Sequence, residues 1–290
     1  MEFFTATKCG QLAFEVTQSS GSGKVIGNTS RGVFLRISTN RIVYLSSELF
    51  GNPLNINILP FPVPFQEIQI NEKIQFGGEK IIFPRPNFGI SVTPEIIYKP
   101  TPRPPLDKEP ERQMERILAI LNEFNHDYEP EGFITSLPGL LNFGEARFKS
   151  NNQLHELQIV TEHLKTGNIS KLQKSLSQFI GSGRGLTPAG DDLICGFLLA
   201  VNRWGLGTFQ SDNLADLNAK VSQEAYRRTT TLSANLIELA TKGEGDERLL
   251  IALDSIFTGN SPPRKSAKLL LSYGSSSGLD AFTGMVIALI

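Results

Sequence analysis

The chain has 290 residues, enough for one large or two ordinary domains, and its 28 basic and 29 acidic side chains leave a formal charge of -1. This balance gives no electrostatic basis for binding nucleic acid or an anionic membrane surface. No segment approaches the ~20 apolar residues that span a bilayer, and the first residues lack the pattern of a secretion signal, so we expect a cytoplasmic protein. Cys9 and Cys195 are the two cysteines, and they support neither a disulfide framework nor a cysteine zinc site.

The first hundred residues have the pattern of a β-rich domain. Short strand-like runs occupy residues 33–38, 41–46, 55–59, 65–70, 73–76 and 80–83. Thr39-Asn40 and Gly77-Gly78 are two-residue connections typical of hairpins. Short strands separated by prolines and turn residues favour a small barrel or sandwich over a parallel sheet with crossover helices.

The composition changes at the proline-rich segment 99–105, which we interpret as a stiff connector. Amphipathic patterns and helix start signals after this segment predict helices at about 111–125, 151–165, 169–180, 188–204, 212–242, 246–258, 262–272 and 279–290. We therefore predict an α+β protein with a β-rich domain at 1–104 and a mainly α-helical domain at 105–290.

The most informative stretch is the loop Gly181-Ser-Gly-Arg-Gly-Leu-Thr-Pro-Ala-Gly-Asp191-Asp192, which leads directly into an apolar helical run. Thr187 suits the N-cap and Pro188 the first helical position. Free N–H groups and the positive helix end would then face a loop in which Gly183 and Gly185 leave room for an anion. Arg184 adds donors suited to an oxyanion, whereas Asp191 and Asp192 repel one unless a cation or a proton intervenes. The alternative is a tight acidic-capped loop without any ligand.

A second segment near the C-terminus repeats this design. The pattern Gly-x-Asp-x-x-x-Gly-x-x-x-Ala fits residues 190–200 and again residues 278–288. In each helix the Asp, Gly and Ala share one face, and the small residues allow close approach of another backbone. The two helices are thus candidates for mutual packing, and the two loops for bordering one cleft. A crossing with the two N-termini at opposite ends is equally allowed, as is a role in packing alone.

Three further features remain, and the first two of them allow two interpretations each. Residues 227–233, Arg-Arg-Thr-Thr-Thr-Leu-Ser, fall within a predicted helix and provide either part of an oxyanion pocket or an exposed basic patch. Residues 136–142 form either a cover for the cleft or an ordinary connection. The three histidines, His126, His155 and His163, lack a metal-ligand spacing and are expected to be exposed.

Three motifs together resemble those of the AllH-type subunit of oxamate carbamoyltransferase. They are the Gly-x-Gly-Leu-Thr-Pro-x-Gly-Asp-Asp loop, the segment Arg228-Thr229-Thr230-Thr231-Leu-Ser233, and the closing Gly274-Ser-Ser-Ser-Gly-Leu-Asp280. The resemblance spans roughly residues 181–290. It implies a bacterial protein that works with two larger subunits, and a reaction that interconverts oxalurate and phosphate with oxamate and carbamoyl phosphate.

Our hypothesis is a carbamoyltransferase subunit that binds a small oxyanion such as carbamoyl phosphate, phosphate or oxamate at helix N-termini. In it, Asp191, Asp192 and Asp280 are the catalytic residues, and Asp192 or Asp280 either orients an amide or hydroxyl or holds a cation such as Mg²⁺. The expected substrate-binding residues are Gly183, Arg184, Gly185, Thr187, Gly190, Arg228, Thr229, Ser233, Ser275, Ser276, Ser277 and Gly278. One alternative is a non-catalytic assembly subunit. The other, a ribokinase-like phosphotransferase, rests on Thr187-Pro-Ala-Gly-Asp191 and conflicts with the order of strands followed by helices.

Overall fold

A computed structural model describes residues 1–60, 65–105, 112–124, 132–142, 153–205 and 211–290. The chain divides into two compact units, Met1–Thr101 and Pro102–Ile290, each with its own cluster of buried apolar side chains. All strands of the described residues lie in the first unit, and ten of the eleven described α-helices lie in the second. The predicted α+β class, with a β-rich region before a mainly helical one, is confirmed.

The first unit is built on one curled mixed sheet of ten strands. The strands are β1 (Glu2–Thr5), β2 (Lys8–Gly10), β3 (Gly21–Asn28), β4 (Gly32–Ser38), β5 (Arg41–Ser46), β6 (Asn55–Asn57), β7 (Lys73–Gly77), β8 (Lys80–Phe83), β9 (Phe88–Ser91) and β10 (Ile97–Tyr98). Their order across the sheet is β1-β9-β8-β7-β3-β4-β5-β6-β2-β10. The pairs β1/β9, β5/β6 and β2/β10 are parallel and the others antiparallel.

Both predicted hairpins are present, and the turn of the second lies one residue later than the predicted Gly77-Gly78. Strands β4 and β5 pair antiparallel across Thr39-Asn40, and β7 pairs with β8 across Gly78-Glu79. Gly78 and Glu79 have φ values of 57° and 62°, as a two-residue turn of type I′ requires. The predicted strand at 65–70 is wrong: Phe65–Glu67 is a 3₁₀ helix, and the Asn28 side-chain amide donates to the carbonyl groups of Phe65 and Ile68 in place of a sheet partner.

One helix of the first unit was not predicted. Helix α1 (Gln11–Gln18) has the sequence QLAFEVTQ, in which apolar residues alternate as they do in a strand. The structure buries Ala13 and Thr17, which are four residues apart on one helix face. The alternating pattern concealed this short helix because its buried positions are small or polar.

The second unit packs ten α-helices around an apolar core in its described part. They are α2 (Arg112–Glu123), α3 (Leu137–Leu140), α4 (Gln153–Lys165), α5 (Ile169–Phe179), α6 (Ala189–Trp204), α7 (Ser211–Arg228), α8 (Thr231–Ala240), α9 (Glu247–Thr258), α10 (Pro263–Ser272) and α11 (Ser277–Ile287). A 3₁₀ helix at Gly132–Ser136 precedes α3, so the insert predicted as a loop at 136–142 is partly helical.

Helices α6 and α11 form the centre of this unit and pack with their backbones in contact. A Cβ atom at Gly196 would overlap the carbonyl oxygen of Ala281, and one at Gly284 would overlap that of Leu193. Both helices are buried along nearly their whole length. The predicted packing through the shared small-residue faces is therefore what the structure shows, and glycine is required because no side chain fits between the backbones.

The helix predicted at 212–242 is two helices. The chain leaves the helical conformation at Thr229-Thr230, where Thr230 has ψ of 154° and caps α8 by accepting a hydrogen bond from the Ser233 backbone N–H. Thr230 is followed three residues later by Ser233, and a threonine preceding an apolar run is a typical N-cap signal. This break brings the threonine-rich segment to the start of a helix, where its hydroxyl groups contact the loop before α6.

Candidate functional site

The N-terminal ends of α6, α8 and α11 meet around Leu186 and Thr187. The hydroxyl oxygen of Thr187, in the loop before α6, is 3.3 Å from that of Ser277, the first residue of α11. The Thr230 hydroxyl, at the start of α8, donates to the Leu186 carbonyl oxygen at 2.6 Å, and the Ser233 hydroxyl donates to the same oxygen at 3.3 Å. Three positive helix ends consequently converge on one loop, an arrangement that favours negative charge.

The first turn of α6 differs from the prediction by one residue. Pro188, with φ of -53° and ψ of 143°, occupies the N-cap and the helix begins at Ala189. The Pro188 carbonyl accepts hydrogen bonds from the Asp191 and Asp192 N–H groups. Thr187 is thus not the N-cap, because the extended conformation of Pro188 already provides the acceptor that begins the helix, and the Thr187 hydroxyl turns to Ser277 instead.

The loop before α6 leaves backbone donors available. Gly181, Gly183 and Gly185 have φ values of 77°, 123° and 94°, which side-chain-bearing residues rarely adopt. Within the described part of the chain, the N–H groups of residues 183–187 and of Ala189 have no hydrogen-bond acceptor. A Cβ at Gly183 would lie 2.7 Å from the Ala189 nitrogen, whereas one at Gly185 would meet nothing within 4 Å. A side chain at position 183 would therefore block the Ala189 amide, whereas a side chain at position 185 would not.

The Asp191 carboxylate makes hydrogen bonds to this loop and to Thr229, and neither of its oxygens is left for a ligand. Its Oδ1 accepts the Gly181 N–H at 2.7 Å and its Oδ2 accepts the Thr229 hydroxyl. Burial raises the pKa of Asp191, while the hydrogen bonds from Thr229, Gly181 and Ser233 act in the opposite direction. One amide of the predicted anion nest is thus occupied by the protein's own carboxylate, and Asp191 is a residue that holds the loop in place.

Asp192 and Asp280 are two buried carboxyls that each have one unpartnered oxygen. Their exposed fractions are 2% and 0%, and Oδ2 of each has no hydrogen-bond partner among the described residues. Burial raises the pKa of Asp192 well above its usual value, the charges of Asp280 and Asp191 add to this effect, and the hydroxyls of Ser277 and Thr187 lower it. Burial raises the pKa of Asp280 to about 6. Unpaired buried carboxyl oxygens are costly, so they mark a position built for a proton or for a donor.

Asp280 is covered by a segment that the sequence analysis did not single out. Its Oδ1 accepts the Phe133 backbone N–H at 2.9 Å, and a Cβ at Gly132 would lie 2.5 Å from the same oxygen. Gly132 adopts φ of 83°, which permits this approach. The contact joins residues that are 147 positions apart in the chain, and no local pattern in the sequence indicates it.

The segment that leads into α11 offers hydroxyl groups, and the amides of Gly278, Leu279 and Asp280 are engaged within the protein. The N–H of Gly278 donates to the Tyr273 carbonyl, and the N–H groups of Leu279 and Asp280 donate to that of Ser276. Gly278 faces α10, where a Cβ would overlap the Leu270 carbonyl oxygen. Gly190 is similar, since its N–H donates to the Ser182 carbonyl and its Cα lies against Phe179. These two glycines allow close packing, and their amides are engaged within the protein.

The predicted basic residues lie at the surface. Arg184 is exposed in the loop. Arg228 is also exposed, and its Nη1 donates at 2.5 Å to the Ser177 carbonyl near the end of α5. Ser275 is exposed, Ser276 and Ser277 are half-buried, and the Ser276 hydroxyl lowers the pKa of Asp280. The structure thus gathers the carboxyls, the hydroxyls and the loop amides in one region, with both arginines on its outer side.

Other predicted features lie apart from this region or outside the described residues. His155 is exposed and His163 is half-buried, with Nδ1 2.8 Å from the Ser175 hydroxyl; His126 lies outside the described residues. In the part of the chain that the structure describes, no three His, Cys, Asp or Glu side chains are grouped as metal ligands. None of the described helices is both long and apolar enough to cross a membrane.

Comparison with known proteins places the candidate site inside a recognised family segment. Residues 179–289 match the family model described as oxamate carbamoyltransferase subunit AllH, and this range contains the loops before α6, α8 and α11. No curated protein and no solved structure matches the chain significantly. The family match confirms the resemblance carried by the three motifs: over residues 179–289, the chain is similar to the AllH subunit of oxamate carbamoyltransferase.

Proposed function

We propose that the chain is a subunit of a carbamoyl-transferring enzyme and that the region where α6, α8 and α11 begin binds a small oxyanion bearing a carboxamide group. The supporting observation is the meeting of two kinds of group at this position. Free amides of residues 183–187 and the convergent helix ends suit an oxyanion. The unpartnered oxygens of Asp192 and Asp280 suit the N–H groups of an amide.

Oxamate and carbamoyl phosphate combine these two features. Each carries an H₂N–C(=O) group next to a carboxylate or a phosphate. The oxyanion would take the loop amides, and the amide nitrogen would donate to Asp192 or Asp280. Fixed donors at helix ends stabilise developing negative charge without reorganisation, and a transfer reaction of this type depends mainly on positioning.

A pair of glycine variants tests the anion part of the proposal. Gly183 and Gly185 both have positive φ, so valine strains the backbone at either position. Only the side chain at position 183 would cover the Ala189 amide. We expect Gly183→Val to abolish binding of phosphate and carbamoyl phosphate in calorimetric titration, and Gly185→Val to retain most of it. Equal binding by both variants and the unmodified chain would show that these amides do not hold the anion.

The carboxamide part is tested with oxamate against oxalate, which replaces the amide by a second carboxylate. A second carboxylate brought against Asp192 and Asp280 is repelled when these carboxyls are ionised, whereas an amide donates to their unpartnered oxygens. We expect a preference for oxamate of at least about tenfold, or about 1.4 kcal/mol, that Asp192→Asn reduces. Tighter binding of oxalate would refute the assignment.

A non-catalytic assembly role is the second candidate, and one observation favours it. Leu186, at the centre of the loop, exposes 44% of its surface although it is apolar. In this account the loop contacts a partner subunit, and several of its helix-end amides are already satisfied by the protein itself. Stable association of the chain with larger subunits, abolished by Leu186→Asp and unaccompanied by ligand binding, would favour this account.

The ribokinase-like alternative is not supported by the fold. That class places helices between the strands of a parallel sheet, whereas the strands of the described chain all precede Thr101 and most of their pairs are antiparallel.

A further inference from the structure

A cavity that is separate from the loops before α6 and α11 lies between α2 and the connection from α9 to α10. Its volume is about 680 Å³, which is in the range of sites for small organic molecules. One wall is a face of α2 that includes Arg112, Glu115 and Arg116, and the other runs from Thr258 to Pro263. Neither the family resemblance nor the proposed function uses this cavity.

The only charged side chains in the first turn of α10, whose N-cap lines this cavity, are basic. Pro262 is the N-cap and provides no side-chain acceptor, and the first turn contains no acidic residue. It contains Arg264 and Lys265 instead. Basic residues in the first turn add to the positive end of the helix dipole, where acidic residues are normally stabilising. A bound anion would offset this charge.

The residue before this N-cap provides an independent sign of a missing partner. Ser261 exposes only 9% of its surface, it lines the cavity, and its hydroxyl oxygen has no hydrogen-bond partner among the described residues. Buried hydroxyl groups are normally hydrogen-bonded, because desolvation without a partner is unfavourable. A ligand atom that accepts a hydrogen bond would satisfy Ser261.

The facing wall supplies two guanidinium groups one helical turn apart. Arg116 is held in place by a hydrogen bond from its Nη1 to the Ile256 carbonyl at 3.2 Å, and Arg112 lies at the start of α2. Two such groups suit the double charge and several acceptors of a phosphate better than a single carboxylate, and the cavity is larger than phosphate alone needs. We propose that this cavity binds the phosphate group of a small phosphorylated molecule.

The test measures binding of radiolabelled inorganic phosphate to the full chain by equilibrium dialysis, with acetate as the competing carboxylate. Gly183→Val serves as the background, so that any phosphate held by the loop before α6 does not contribute. Arg112→Glu reverses a cavity charge at a helix position where glutamate is favourable, and Ser261→Ala removes the hydroxyl. Lys268→Glu makes the same charge change at an exposed position of α10 outside the cavity.

We expect Arg112→Glu to weaken phosphate binding at least about tenfold, Ser261→Ala to weaken it about threefold, and Lys268→Glu to leave it within about twofold. Acetate should compete poorly. Unchanged binding in both cavity variants, an equal loss in Lys268→Glu, or equal competition by acetate would each overturn the proposal. If phosphate binds in the Gly183→Val background as in the unmodified chain, and the cavity variants abolish it, the loop proposal fails while the cavity proposal stands.

Discussion

Replacing Asp280 by asparagine should stabilise the protein at neutral pH and have little effect in acid. Asparagine is nearly isosteric and retains the Oδ1 acceptor for the Phe133 N–H. It removes the negative charge that aspartate acquires on ionisation in a fully buried position. The effect should therefore grow with pH between 3.8 and about 6, where Asp280 is ionised in the unfolded chain but still protonated in the folded protein, and stay constant above this range.

The magnitude follows from the pKa. Burial raises the pKa of Asp280 from 3.8 to about 6, which corresponds to about 3 kcal/mol. Because the folded-state pKa is raised, the stabilising contribution of the protonated carboxyl is fully present below pH 3.8 and is lost as the pH rises through about 6. Asp280→Asn lacks this loss, so its advantage over the unmodified chain should reach up to about 3 kcal/mol near pH 8.

Urea unfolding of both proteins between pH 4 and pH 8 would measure this difference in the free energy of unfolding. Asp216→Asn is the matched control, because Asp216 is exposed and its ion pair with Lys220 lies on the surface. A difference between Asp280→Asn and the unmodified chain that does not change with pH would refute the reasoning. So would an advantage that is greatest at pH 4.

Three other predictions concern the helical unit and the cysteines. Gly196→Ala should lower the free energy of unfolding by about 2 kcal/mol in the same urea assay, because the clash with Ala281 outweighs the ~1 kcal/mol gain in helix propensity. The control Gly139→Ala should change the free energy of unfolding little, because its Cβ meets only the flexible Leu154 side chain. Thr230→Val should cost about 1–2 kcal/mol in thermal unfolding, because it removes the cap of α8 and the bond to Leu186; no comparable loss is expected for Thr231→Val. Burial raises the pKa of Cys9 to about 12 and that of Cys195 well above its usual value. Iodoacetamide at pH 8 should therefore label neither thiol in the native protein and both thiols in urea, as measured by mass spectrometry. Rapid labelling of the native protein would contradict this prediction.

The sequence was most informative at positions where the backbone leaves no room for a Cβ atom or needs a positive φ. The repeated Gly-x-Asp-x-x-x-Gly-x-x-x-Ala pattern predicted the packing of α6 on α11, because Gly196 and Gly284 are the positions at which no Cβ fits. The hairpin between β7 and β8 was predictable for a similar reason, since Gly77-Gly78 indicates a turn that needs positive φ, although the turn itself is formed by Gly78-Glu79. Such positions have few alternatives among the amino acids, and the sequence therefore carries the information.

Prediction was weaker where one residue type serves several purposes. Gly190 and Gly278 have the same local sequence character as Gly183. Both of them face other backbones and their amides are engaged, whereas the Gly183 N–H has no acceptor among the described residues. The break at Thr229-Thr230 was missed because threonine is tolerated within a helix and also caps one. The contact of Asp280 with Phe133 depends on long-range packing that no local pattern encodes.

The backbone contact between α6 and α11 limits how this protein can change. Side-chain substitutions commonly let packed helices shift apart or together, but here main-chain atoms meet at Gly196 and Gly284. Thr187 and Ser277 lie at the N-terminal ends of these two helices, so the distance between them is set by the main-chain contacts. A variant that binds a bulkier ligand would have to lengthen or reshape a loop, because steric clashes prevent the two helices from sliding past each other.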